Sequence, residues 1–400
     1  MVNEFIGLKE SSSMHVTLIF VYSKERFTGG PEGVAFDTVE GLKKNHARLV
    51  DNDIHIHIMS AAGNAARSRV EVERDYENLT FEYFKNMLPS ALLADLNYCL
   101  RMRKRRGAID LVHSHPISGA VAGCMMGLPT MLTLHGMYWK EGTFSSNPYT
   151  RLSYALNTRR FGYVSQRLVK LIAISPYVID EVDQYYKNKD IKGEVIENPI
   201  ADVFFSVRKE ESDGLILYPG VISRRKNQMG LVKALNILKN DGVPFHCVMP
   251  GPCIDPDYLA EIKKEIERRG LEKEITIPGA IPFTDLLHLY EQAGAMVMTT
   301  LQETAPMVIS EAMATGTPVI APRISGIPYM VSDGETGFLT DPGRHEETAK
   351  YLAILLDEPG LRRDMGIASK RVAEARWRND LIVGKQLDLY LDVDAQSRSK

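Results

Sequence analysis

The chain has 400 residues, of which 44% are hydrophobic and 25% charged, with a net charge of −3. That length allows two to three domains with their own cores, and the composition is ordinary for a soluble globular protein and excludes nucleic acid as the main partner, which would demand a strongly basic surface. Cys99, Cys124, Cys247 and Cys253 have neither metal-like spacing nor the number for a disulfide framework, so a reducing cytoplasm is the expected setting.

The polar opening MVNEFIGLKESSS lacks a signal-peptide core, and no apolar run approaches the ~20 residues that span a bilayer, so a soluble or peripheral protein is expected. Short β-rich apolar runs then alternate with helical stretches, the pattern of βαβ units, parallel sheets and an α/β fold class. In the first half, His15 to Tyr22, Ile54 to Met59, Leu111 to His115, Thr130 to Leu134 and Leu171 to Ile174 read as strands. In the second half, Leu215 to Pro219, Phe245 to Met249, Ile275 to Ile277, Ala295 to Thr299 and Pro318 to Ala321 do so. The charged segment VFFSVRKEESD has linker character, which places a boundary between domains at residues 1–205 and 206–376, the final helix 377–400 being counted with the first. Two such doubly wound domains bind ligands at the C-terminal ends of their strands.

The most informative stretch is ETAPMVISEAMATGTPVIA, in which Glu303 and Glu311 stand eight positions apart. Pro306 fits a first helical turn, Gly316 and Pro318 a stop, and Val319 to Ala321 a buried strand. Glu303 then lies in a loop before the helix and Glu311 about a turn and a half inside it. The free amides and positive dipole end suit an anion, and the carboxylates can accept hydroxyl hydrogen bonds. A sugar joined to a nucleoside diphosphate carries both groups.

This segment resembles the E-x7-E motif of the retaining glycosyltransferases of family 4, which have the GT-B fold. The neighbouring runs IPGAIPFTDLLHLYEQAGAMVMTT and EAMATGTPVIAPRISGIPYMVSDGETGFLTDPG follow in the family's order over about 70 residues. The resemblance implies two Rossmann-like domains facing across a cleft, the first on the acceptor side and the second holding the nucleotide-sugar donor. It also implies a last helix that crosses back to the first domain, for which Trp377 to Asp394 is the candidate.

The resemblance implies residue roles as well. Glu303 would bind the donor sugar and help stabilise positive charge, and Glu311 would bind the ribose hydroxyls. The helix amides would hold the diphosphate; Pro306, where many members carry glycine, has no N–H, so any sugar contact made by that amide is lost and the amides of Ala305, Met307 and Val308 remain. In PGVISRRKNQ, Lys226 matches the family lysine, but the arginine position after the glycine is Val221, leaving that contact to Arg224 or Arg225. Ser325 to Pro328, after the strand that follows Glu311, reads equally as an ordinary turn or as a loop that closes over the diphosphate, and the backbone at Gly279 to Ile281 resembles the loop that holds the base. Gly30 and Gly33 resemble the family's glycine loop, with Pro31 and Glu32 in place of its paired glycines. Read alone, that segment is better taken as a plain strand-to-helix turn. His135 matches the histidine near the donor sugar, although a strand-end histidine is also read as structural. Asn198-Pro199 resembles the interdomain asparagine turn.

Three further signals carry expectations. His113 and His115 in H-S-H are taken to point to opposite faces, which argues against a metal shared with His135. Asp255-Pro256-Asp257 has the D-x-D form of metal-dependent transferases of another fold, yet precedes a helical stretch and reads as a cap. RMRKRR at Arg101 to Arg106 reads as a solvated helix end, with anionic lipid headgroups as the alternative partner.

The reaction so implied moves a sugar from a UDP- or GDP-sugar to a hydroxyl acceptor on a glycan, a lipid-linked glycan or a small molecule, without a metal. The leaving phosphate takes the acceptor proton. A nucleotide-sugar epimerase, a phosphorylase and a non-catalytic nucleotide-binding homologue are the alternatives.

Overall fold

The computed structural model describes residues 13–23, 30–62, 71–85, 91–145, 147–187 and 191–399. Its backbone contacts group residues 13–23, 31–199 and 379–399 as one compact unit, and Gly30 with residues 200–378 as another.

The sheet of the first unit holds β1 (Met14–Ile19), β2 (Ile54–Ala62), β3 (Glu71–Tyr76), β4 (Leu79–Lys85), β5 (Leu111–Ser114), β6 (Thr130–Leu134), β7 (Lys170–Ala173) and β8 (Gly193–Val195). Their order is β3-β4-β2-β1-β5-β6-β7-β8, parallel throughout except at the β3–β4 hairpin. The unbroken apolar run of β1 follows from its double burial. Leu18 and Phe20 join one core with Val39 and Leu387, while Ile19 joins another with Met59, Val112 and Met102.

Strands β3, β4 and β8 go beyond the sequence expectation. In β4, Leu79, Phe81 and Tyr83 fill the core, whereas Glu82 pairs with His57 Nε2 at 3.1 Å and Arg101 Nη1 at 2.8 Å. Within RMRKRR, expected to be a solvated helix end, Arg101 is thus drawn into an ion pair instead. Arg101 also lies over the Phe84 ring at 3.9 Å, leaving Arg103, Lys104 and Arg106 as the exposed cations.

The last helix, Asn379–Arg398, crosses back into this unit as expected. Ile382, Val383, Leu387, Tyr390 and Val393 pack in the β1 core, and Lys44 Nζ donates to Asn379 Oδ1 at 2.8 Å. The helix Gly30–Lys44 approaches it so closely that a Cβ on Gly41 would lie 2.6 Å from the Asn379 carbonyl oxygen.

The sheet of the second unit holds β9 (Leu215–Leu217), β10 (His246–Pro250), β11 (Ile275–Gly279), β12 (Ala295–Val297), β13 (Val319–Pro322) and β14 (Gly337–Thr340), the last absent from the sequence expectation. All pairs are parallel, in the order β11-β10-β9-β12-β13-β14. The winding reverses between β9 and β12, and such a switch point opens a crevice at the strand C-termini. No helix among the described residues is long and apolar enough to cross a membrane.

Candidate active site

Glycines lace the strand ends of the second unit together. Gly220 N–H donates to the Pro250 carbonyl at 2.9 Å, and Gly251 N–H to the Gly279 carbonyl at 2.8 Å. Gly251 has φ +152°, and a Cβ there would meet the Gly220 carbonyl oxygen at 2.0 Å, so only glycine fits. Across the switch point, Asn227 Nδ2 donates to the Thr299 carbonyl at 2.9 Å and Leu301 N–H to the Arg225 carbonyl at 2.8 Å. The loops after β9 and β12 therefore form one frame.

Glu303 sits in that frame, 6% exposed. Its Oε1 lies 2.6 Å from Lys226 Nζ and 3.1 Å from Arg225 Nη1, and accepts a hydrogen bond from Thr300 Oγ1 at 3.1 Å. Burial pushes the carboxyl upward, but Lys226, Arg225 and Thr300 outweigh it and hold Glu303 below the ordinary carboxylate range. Arg225 Nη1 also donates to the Gln302 carbonyl at 2.9 Å. Arg224 instead turns to Glu261 at 2.6 Å and Asp255 at 3.4 Å. Of the two arginines expected to replace the missing one at Val221, only Arg225 joins the carboxylate.

The helix Met307–Ala314 follows, with Pro306 as its N-cap rather than in its first turn. Ile309 N–H donates to the Pro306 carbonyl at 3.0 Å. Met307 and Val308 occupy the first turn, whose amides have no acceptor within the helix. Glu311, 1% exposed, accepts from Tyr290 Oη at 3.0 Å. Gly326, in the Ser325 to Pro328 turn, donates its N–H to the Glu303 carbonyl oxygen at 3.1 Å, which brings that turn onto the motif. Gly279 ends β11 with φ +79°.

Thr300, Tyr290 and Gln302 carry site geometry that sequence reasoning missed. Thr300, three positions before Glu303, offered a signal, while Tyr290 approaches from a separate helix and offered none. The Gln302 amide is buried, and neither its oxygen nor its nitrogen has a hydrogen-bond partner.

In the first unit, His135 follows β6 and His115 follows β5. Residues two apart on a strand share a face, so the expectation that His113 and His115 diverge is overturned. Their ring centroids are 5.1 Å apart, and His115 Nδ1 is 2.8 Å from His135 Nε2. His113 lies between Tyr390 Oη at 2.5 Å and Thr133 Oγ1 at 2.7 Å. Burial lowers His135 to about 4 and His113 to about 3, and drives His115 well below its ordinary value, so all three are neutral near pH 7. Among the described residues, no group of three or more His, Cys, Asp or Glu is arranged to hold a metal.

Gly30 opens its helix with φ +71° and is exposed, while Gly33 is buried in the first turn; residues 24–29 of the preceding loop lie outside the described residues. Asp255 caps the helix Pro256–Arg268 by accepting from Tyr258 N–H at 3.0 Å, as expected. Asn198 is buried at the end of the first unit.

Known proteins share this architecture. The family described as Glycosyl transferases group 1 matches residues 200–372, and that described as Glycosyltransferase Family 4 matches residues 29–202. The D-inositol 3-phosphate glycosyltransferase of Corynebacterium diphtheriae is 37% identical over 324 residues, covering 76% of this chain and 75% of the relative. Sucrose-phosphate synthase from Thermosynechococcus elongatus superposes with a TM-score of 0.74 at 17% identity, over 96% of this chain and 100% of the other. Anabaena HepE in complex with UDP and glucose gives 0.71 at 20% identity, over 95% and 100%. The matches to both halves, the level of identity and the two Rossmann-like sheets lead to one assignment: this chain belongs to glycosyltransferase family 4 and is a glycosyltransferase of the GT-B fold.

Proposed function

We propose that the chain is a retaining enzyme that moves a hexose-type sugar from a nucleoside diphosphate sugar to a hydroxyl acceptor. The observation that carries this reading is the ionised Glu303 held between Lys226 and Arg225 at the switch point of the second sheet. The bond between the anomeric carbon and the β-phosphate oxygen breaks, and its electron pair leaves with the diphosphate. Lys226, Arg225 and the first-turn amides at Met307 and Val308 receive that charge. Glu303 binds the sugar and stabilises the oxocarbenium character, Glu311 binds the ribose hydroxyls, and Gly279 lines the base.

The acceptor oxygen bonds the anomeric carbon from the face the leaving group quits, and its proton passes to the leaving phosphate. Two fixed cations supply the positive charge that a divalent ion supplies in other transferases, so no metal is needed. In the first unit, the side of the acceptor, His135 hydrogen-bonds a sugar hydroxyl, and at the start of the helix Gly30–Lys44 the glycines Gly30 and Gly33 let the backbone approach the phosphates. HepE was solved with UDP and glucose, which makes UDP-glucose the first donor to try. The inositol 3-phosphate named for the relative makes a phosphorylated small molecule the first acceptor to try.

The test is calorimetry with UDP, GDP, ADP and their common sugar conjugates, with and without magnesium. One nucleotide should bind without metal dependence, and its conjugate should be turned over. Binding without turnover would favour a non-catalytic homologue, and no binding would favour a phosphorylase.

A further inference from the structure

His115 lies directly beside His135, the residue read as a substrate contact. Its backbone N–H is fixed to the Ile19 carbonyl at 2.9 Å, and its ring is wedged between His113 and the edge-on ring of Phe20, whose centroid is 5.5 Å away. From there Nδ1 meets His135 Nε2 at 2.8 Å. A hydrogen bond between two neutral imidazoles has one donor and one acceptor, so the two rings share one proton placement.

Only two placements exist. If His135 Nε2 donated, His115 would be protonated on Nε2, which is buried and has no partner. A buried N–H without an acceptor carries its full desolvation cost, whereas a bare acceptor nitrogen is better tolerated. The favoured placement therefore puts the proton on His115 Nδ1 and leaves His135 Nε2 as acceptor. His135 must then carry its own proton on Nδ1, a nitrogen that makes no hydrogen bond among the described residues of this partly exposed side chain.

We propose that His115 is a positioning residue that fixes His135 as its Nδ1–H tautomer and so makes it a hydrogen-bond donor to a sugar or phosphate oxygen. The functional part rests on the reading of His135 as a substrate contact. The tautomer itself is a property of the protein alone, so the two fail separately.

The experiment is two-bond ¹H–¹⁵N correlation spectroscopy on the ¹⁵N-labelled full chain at neutral pH, for wild type, His115→Leu and His115→Asn. Wild type should show His135 protonated on Nδ1. His115→Asn, whose amide can replace the Nδ1–H donor, should retain that pattern, and His115→Leu should lose it to the Nε2–H form. With UDP-glucose, donor turnover should fall about 10–100-fold in kcat for Leu and be largely restored by Asn, by analogy with the partners that orient metal-bound histidines. A wild-type His135 protonated on Nε2, or an Nδ1–H pattern that survives in the Leu variant, overturns the proposal. The wild-type spectrum decides the matter even if a variant misfolds, and an intact tautomer with a fully active His135→Ala enzyme would refute the substrate contact instead.

Discussion

Lys226 and Glu303 form a 2.6 Å ion pair, so the cation meant for the leaving group and the carboxylate meant for the sugar hold each other in place. Their coupling gives the two substitutions opposite signatures. Glu303→Ala releases two positive charges at the diphosphate, so UDP affinity should hold or rise while kcat falls by about 10²–10³ or more. Lys226→Ala should weaken UDP binding about tenfold, one charge-assisted contact. Calorimetry and turnover on the two proteins check both, and wild-type turnover in Glu303→Ala would remove its role.

Tyr290 acts behind Glu311. Its hydroxyl donates at 3.0 Å, and Tyr290→Phe removes that bond with little change of volume. The loss is about 1 kcal/mol, which should raise the donor Kd roughly fivefold and leave kcat nearly unchanged. An equal fall in kcat would place Glu311 in the chemistry rather than in binding.

Gly251→Ala is expected to be the most damaging single-methyl change near the site. The residue has φ +152°, and the new Cβ would press on backbone of the neighbouring loop at Gly220. We expect a loss of about 3 kcal/mol or more in urea unfolding, together with weaker nucleotide binding as Gly220 shifts. A variant as stable as wild type would show that the lacing can yield.

Acid should destabilise the first unit before it touches Glu303. An imidazole in the unfolded chain takes its proton near 6.5, whereas burial holds His135 to about 4 and His113 to about 3. Between these values the unfolded state binds more protons, so stability, fully present above about pH 6.5, is lost as pH falls toward the folded values. His57 and His115 are shifted in the same direction. The unfolding midpoint should decline from pH 7 to 4.5, and more gently in His113→Gln. An unchanged slope in that variant would exclude His113 from the effect.

Much of this was legible because its signals are local. The strands β9, β12 and β13 are continuous apolar runs, and Glu303, Glu311 and Lys226 lie in motifs whose spacing survives in one sequence. What escaped depends on distant partners. EVERDYENLTFEYFK looks too charged for a sheet until Glu82 finds His57 and Arg101, 25 and 19 positions away. The choice between Arg224 and Arg225 is made by Glu261, on another helix, which draws the first aside. The pairing of His113 and His115 needs no distant partner, because strand alternation alone puts residues two apart on one side.

The helix Asn379–Arg398 has a consequence for synthesis. Residues 200–378 are contiguous and can close their sheet as soon as they are free of the ribosome, whereas the β1 core stays open on one side until Leu387 and Tyr390 have been made. The part of the chain translated first is therefore completed last, and its unfilled apolar face is what a chaperone would have to shield in the interval.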